Sequence, residues 1–229
     1  VVPMAQLTSA RVFFYGLDPT ADLWADHIES QGLNGIRFRV HYGDESFNLQ
    51  APMIGRHSIH TILRAISVAL VEGLPWGEII TGLHHASSQL RLVVVQTRHG
   101  ALLLDDTYNA SPESMLAALN LLQELPGRKI AVLGGMNELG PYELAGHQKV
   151  GFRANEVADQ VITYMENGHM IHDAVISAGF PVNHITHVDS ETELIKTLDA
   201  LIQKGDVVLV KGSHGLRMDR IVASLEAGS

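Results

Sequence analysis

From residue 91 onward, short apolar runs alternate with longer segments whose apolar residues recur at helical spacing, as expected of a mostly parallel sheet with crossover helices. The runs predict strands at Leu92–Gln96, Ala101–Asp105, Ile130–Leu133, Gln160–Thr163, His184–His187 and Val207–Val210. Helices are predicted near 112–124, 143–157, 169–178, 190–203 and 215–226, so this half reads as a Rossmann-like α/β domain. The earlier half is less regular. Arg11–Tyr15 reads as a strand ending in Gly16, and Ile36–Val40 alternates as a half-exposed strand should. Ile59–Val71 and Trp76–His84 read as two helices joined by Gly73-Leu74-Pro75, and the polar stretch Ala86–Gln89 is the best linker candidate.

One junction concentrates chemistry. Ala101–Leu104 reads as a strand buried on both faces, and Asp105-Asp106-Thr107-Tyr108-Asn109-Ala110 follows it directly. Ser111 is then a good N-cap, Pro112 suits the first helical position, and Met115, Leu119 and Leu122 share one helical face. Acidic and amide side chains are therefore placed at the carboxyl end of a strand beside a helix N-terminus, where open α/β sheets bind ligands.

Composition narrows the classes. A chain of 229 residues with 46% hydrophobic content can bury a large core, and two domains are expected. The formal net charge of −9 argues against a nucleic-acid or membrane-surface partner, though not against locally bound phosphates. No apolar run approaches the roughly 18 residues of a membrane span, and no secretory signal pattern opens the chain, so a cytoplasmic protein is expected. With no cysteine, disulfides, thiolate nucleophiles and zinc–thiolate sites are excluded. None of the 13 histidines forms a His-Glu-x-x-His pattern, pairs such as His84-His85 read as surface residues, and no metal-ligand set is assigned.

Five motifs occur in order: Gly55-Arg56-His57-Ser58 opening a helix, Leu90-Arg91 opening a strand, Asp105 to Met115, Gly134-Gly135-Met136-Asn137-Glu138-Leu139-Gly140 with His147 following, and Lys211-Gly212-Ser213-His214-Gly215. Together they resemble the Mur ligase family, and the Asp-Asp-Thr-Tyr-Asn-Ala and Lys-Gly-Ser elements favour its dipeptide-adding member. The resemblance implies ATP-dependent ligation, with Mg2+, of D-alanyl-D-alanine to UDP-N-acetylmuramoyl-tripeptide through an acyl phosphate, in a cytoplasmic monomer. Another Mur or folylpolyglutamate-type amide ligase, or a noncatalytic binding module derived from one, stays open as the alternative. The sequence departs from the family in having no Gly-x-x-Gly-Lys-[Ser/Thr] phosphate loop. Residues 1–87 are therefore expected to be the end of a central ATP-binding domain and 88–229 a complete carboxy-terminal domain, together a fragment inactive alone.

The resemblance also distributes roles. Arg91, Asp106 and Lys211 are implied in catalysis, Arg91 reaching the ATP phosphates and Asp106 lying near ATP. Arg56, His57, Ser58 and Thr61, with Arg91 and Asp106, are implied in nucleotide binding. Ser58 and Thr61 stand where the family usually carries asparagine, and hydroxyls supply only part of that hydrogen bonding. Tyr108, Asn109, Lys211 and Ser213 are implied in substrate binding, with Lys211 facing the acceptor carboxylate. Bland readings remain for each: Asp105 and Asp106 capping local N–H groups, Asn109 stabilising its own turn, Tyr108 in the core, Arg91 and Lys211 solvated beyond strands. Glu138 and His147 are as well explained by structural hydrogen bonds as by ligand contact.

Overall fold

The computed structural model describes residues 2–85 and 92–226, which divide into two compact units, residues 1–88 and 89–229. Arg91 and the linker stretch Ala86–Gln89 lie outside the described residues.

In the first unit, β1 (Tyr15–Gly16), β2 (Leu23–Ser30), β3 (Ile36–Tyr42) and β4 (Glu45–Ala51) form a sheet in chain order. β1 runs parallel to β2, and β2, β3 and β4 are antiparallel. The strand expected at Arg11–Tyr15 is therefore corrected to two residues. Phe14 N–H is instead held by the Asp22 carboxylate at 2.7 Å, a side-chain bond in place of a ladder bond. Two strands were not expected at all. β2 carries a register shift between Asp26 and Glu29 with His27 in the left-handed region at φ 48°, which breaks its alternation. β4 alternates cleanly, and the two-residue turn Gly43-Asp44, with Gly43 at φ 57°, joins it to β3. Behind the sheet, α1 (Ser58–Val71) buries Ile59, Ile62, Leu63 and Ile66, a stripe at helical spacing whose members contribute roughly 1.5–3 kcal/mol each. α2 (Trp76–His85) adds Ile79 and Leu83 to the same core.

The second unit is a six-stranded sheet in the order β5-β6-β10-β7-β8-β9. Its strands are β5 (Val93–Gln96), β6 (Leu102–Asp106), β7 (Lys129–Gly134), β8 (Gln160–Tyr164), β9 (Ile185–Val188) and β10 (Val207–Lys211). All neighbours are parallel except the edge pair of β5 and β6. Four helices cross over between parallel strands: α3 (Pro112–Glu124), α4 (Glu143–Val157), α5 (Gly168–Ser177) and α6 (Glu191–Leu201). The last helix is α7 (Asp219–Leu225), shorter than the expected 215–226. A 3-10 turn at His214–Leu216 precedes it, and Arg217 at φ 50° separates the two. α6 and α7 share a core with Leu103, Val132, Ile162 and Val210, while α3, α4 and α5 pack side by side.

β10 enters between β6 and β7, so the last strand along the described sequence is central and wholly buried. Its start is fixed by Asp206, whose carboxylate takes two bonds from Arg128 at 2.6 and 3.0 Å and one from the Gln203 N–H at 2.7 Å. Burial pushes this carboxyl up, but the Arg128 hydrogen bonds, the Gln203 N–H and the Arg128 charge together outweigh it and hold it below the ordinary 3.8. Asp199, held by Arg98 and then His99, and Asp26, held by Arg39 despite some desolvation, are lowered too. A depressed carboxyl contributes stability that is complete above its unfolded value and is lost as pH falls through the folded one. Urea stability should therefore be flat from neutral pH to about 5 and fall steeply below about 4. Asp206→Asn should be less stable at pH 7 and have a shallower acid slope. An unchanged slope would remove Asp206 from the account.

Candidate functional site

Three strand ends meet at the carboxyl edge of the second sheet. In register, Lys211 at the end of β10 pairs with Asp106 on β6 and with Leu133 on β7. Lys211 is 1% exposed, and its ammonium lies 2.7 Å from the Asp106 carboxylate. It also donates to the Asn109 carbonyl at 2.8 Å and, at 3.5 Å, to that of Asp106. In this arrangement the charge serves the β6–α3 turn from beneath, in contrast to the expectation of a cation facing an acceptor carboxylate. Nor is it a solvated surface lysine.

The turn is stiffened locally as well. Asp105 accepts from the Thr107 N–H at 3.1 Å and from its hydroxyl at 2.7 Å, the local capping role open to it in the sequence. Asn109 Oδ1 accepts from the Ala110 N–H at 2.8 Å, and the residue is exposed. Ser111 and Ser114 close a reciprocal capping box with Pro112 at the first helical position, worth about 1 kcal/mol to α3. Tyr108 is 60% exposed, so its ring belongs to the open face and not to the core.

Across the edge stands the glycine turn after β7. A Cβ on Gly134 would strike Leu216 and, at 2.9 Å, the Met218 sulfur, and one on Gly135 would overlap Asn167. These glycines are required by neighbouring elements. Ser213 ties the two strand exits together: its N–H donates to the Gly135 carbonyl at 3.1 Å, and its Oγ accepts from the Asn137 N–H at 3.0 Å. At 4% exposure it organises the turn from within. His147, fully buried, accepts from the Met136 N–H at 2.9 Å and donates from Nδ1 to the Glu143 carbonyl at 2.7 Å. Both ring nitrogens are thereby used, and the structural reading of His147 is the one realised. Glu138 is exposed at φ 63°.

The exposed side of this edge carries Tyr108, Asn109, Asn137 and His214, with the Tyr108 and His214 rings 5.9 Å apart. Asn137 and His214 are additions to the sequence-derived set. Both sit in motifs legible as turns, but only the insertion of β10 between β6 and β7 places them opposite Tyr108.

In the first unit, Arg56, His57 and Thr61 are exposed at the start of α1. Ser58 is 6% exposed and donates its hydroxyl proton to the Ile54 carbonyl at 2.7 Å, so toward a ligand it could only accept. A magnesium–triphosphate site does not fit the described residues. Asp106, the acidic candidate near ATP, is neutralised by Lys211, and the sequence holds no phosphate loop.

A family model described as "Mur ligase, glutamate ligase domain" matches residues 90–214. The UDP-N-acetylmuramoyl-tripeptide--D-alanyl-D-alanine ligase of Mycobacterium tuberculosis (strain CDC 1551 / Oshkosh) is 31% identical over 255 residues, covering 100% of this chain and 50% of the relative. The ligase of the same name from Escherichia coli (strain K12) is 34% identical over 204 residues, covering 87% and 43% respectively. A crystal structure of MurF from Acinetobacter baumannii superposes with a TM-score of 0.84 at 25% identity, over 97% of this chain and 48% of that one. MurF from Thermotoga maritima in complex with ADP gives 0.74 at 26%, over 92% and 47%. The chain spans about half the length of the curated relatives it matches. With the family model covering more than half of the sequence, and a mostly parallel sheet whose carboxyl edge carries the expected motifs, the chain belongs to the Mur ligase family.

Proposed function

We propose that this chain forms the acceptor side of an ATP-dependent ligase that joins D-alanyl-D-alanine to UDP-N-acetylmuramoyl-tripeptide through an acyl phosphate. The observation that carries the reading is the β6–α3 turn, held by Lys211 against the Ser213 and glycine turns, in a chain that dipeptide-adding ligases match along nearly all of its length. Tyr108, Asn109, Asn137 and His214 are the groups presented to the dipeptide. Their aromatic faces, amides and imidazole can hydrogen-bond and pack a small zwitterionic peptide. Asp106 and Lys211 act through the turn, as positioning residues. Residues 1–87 are the end of the ATP-binding domain, whose Arg56, His57 and Thr61 approach the base, and Arg91 serves the phosphates. The triphosphate and its Mg2+ are assigned to protein outside this sequence, because no phosphate loop occurs in it.

The purified chain given ATP, Mg2+ and both substrates should release no D-alanyl-D-alanine-dependent phosphate. In titrations it should bind the dipeptide alone weakly, with a Kd of about 1 mM or above. Tyr108→Ala with Asn137→Ala should weaken this by about tenfold, the equivalent of 1.4 kcal/mol. Turnover would overturn the assignment of the phosphate chemistry. Equal affinity in the double variant would overturn the acceptor face.

A further inference from the structure

A second group of side chains lies at the far edge of the same sheet and takes no part in the proposed ligation. His187 on β9, Asp189 just beyond it and His169 in the first turn of α5 bring one ligand atom each to within 4.8 Å of one another. His187 Nε2 is 3.1 Å from the Asp189 carboxylate, and the His169 and His187 rings stack with centroids 3.6 Å apart. The other nitrogen of His187 is already committed. Nδ1 lies 2.8 Å from Oγ1 of Thr163, its register partner on β8, and Thr163 is fully buried. β9 is the third strand from β10, which places the cluster roughly 14 Å from Lys211 at about 4.8 Å per strand.

We propose that His169, His187 and Asp189 form a binding site for a borderline divalent transition-metal cation, zinc by its donor set, distinct from the acceptor site. Two imidazoles and a carboxylate with a fourth position for water suit tetrahedral zinc, whereas imidazole donors disfavour magnesium. Ligand atoms about 2.0–2.1 Å from such an ion stand roughly 3.3 Å apart, close to the present 3.1 Å between His187 and Asp189. Thr163 supplies the outer-shell bond that metal-ligating histidines ordinarily make: with the Nδ1 proton directed to its hydroxyl, Nε2 is left as the ligand. His169, exposed and at a helix start, needs only a small movement to complete the set. The bound ion would clamp the β8–α5 turn to the end of β9.

The test uses the tag-free 229-residue chain, stripped with a chelator, dialysed and titrated with Zn2+, and with Co2+ as the optical probe. The wild type should take up about one Zn2+ per chain, give the intense visible absorption of four-coordinate Co2+, and melt at a higher temperature with zinc than without. Thr163→Val, which keeps the shape, should weaken uptake by about 10–100-fold. His169→Gln and His187→Gln should weaken it further and abolish the cobalt spectrum. Because His169 is exposed, His169→Gln should leave the metal-free melting temperature unchanged, so a loss of binding in it cannot be ascribed to unfolding. His172→Gln, beside the cluster but outside the proposed set, should bind within about threefold of wild type. No stoichiometric uptake, uptake equal in a His169→Gln/His187→Gln variant, or an equal loss in His172→Gln would overturn the site. The last result would mean a diffuse histidine patch. None of these readouts depends on D-alanyl-D-alanine, so failure here leaves the acceptor assignment intact, and the reverse.

Discussion

Lys211→Met should destabilise the second unit by about 3–5 kcal/mol, the penalty for removing one member of a buried ion pair. Methionine matches the aliphatic stem, so the cavity term is small and the loss reports the charge. The residue is 1% exposed, and its ammonium answers the Asp106 carboxylate and two turn carbonyls. Without it the partly buried Asp106 carboxylate loses its 2.7 Å ammonium contact, and the Asn109 carbonyl loses a 2.8 Å donor. Urea unfolding should show the drop in midpoint at unchanged slope. Lys211→Met/Asp106→Leu should recover part of the loss, because removing both charges lifts the desolvation cost that removing one exposes. If the single variant melted like wild type, the ammonium would not be holding the turn, and the positioning role of Lys211 would fall. Under the proposed function, a ligase containing this chain should lose D-alanyl-D-alanine-dependent phosphate release with the same change, through a loosened Tyr108–Asn109 turn. Tyr108→Ala should reduce release while leaving stability nearly untouched.

The second unit was legible because its central strands β7, β8 and β10 are buried on both faces. Runs such as Val207–Val210 have no polar face to obscure them, and the helices between them carry plain apolar stripes. The first sheet is a meander with one wet face, where alternation is the only signal. In β2 the residue pattern Leu23, Ala25, then His27 loses its period at the register shift, so the alternation does not predict the strand. β4 carries a signal of its own: Phe47, Leu49 and Ala51 alternate with polar residues after a Gly-Asp turn, a hairpin pattern. For the site, motif spacing predicts turns that the sheet brings to one edge, but it does not give the direction of a side chain. Lys211 is at the expected strand end, yet it points beneath the turn, because its neighbours in register are Asp106 and Leu133. The histidine cluster had no local spacing to find. His169 and His187 lie on different elements, and only adjacent strands and a helix start bring them together.

Gly135→Ala should cost about 1–3 kcal/mol, and Gly82→Ala should do the opposite, a contrast that separates packing from backbone entropy at one substitution type. The Cβ built on Gly135 overlaps the Asn167 Cβ and sits 3.1 Å from its Cα and 3.2 Å from its carbonyl carbon. Those backbone atoms open α5, so relief requires shifting a helix start and not rotating a side chain. The displacement would act on the Gly135 carbonyl, which accepts from Ser213 N–H, and so on the junction that joins the ends of β7 and β10. Gly82 lies within α2, and a Cβ there meets nothing within 4 Å. Alanine there restricts the unfolded chain and favours helix, so roughly 0.5–1 kcal/mol should be gained. Both effects are read from urea midpoints. Dipeptide affinity should fall with Gly135→Ala and stay constant with Gly82→Ala. If Gly135→Ala were neutral in stability, the turns after β7 and β8 would not be in the close contact that this glycine permits. The glycine-rich stretch would then have to be explained by a ligand that needs its backbone bare.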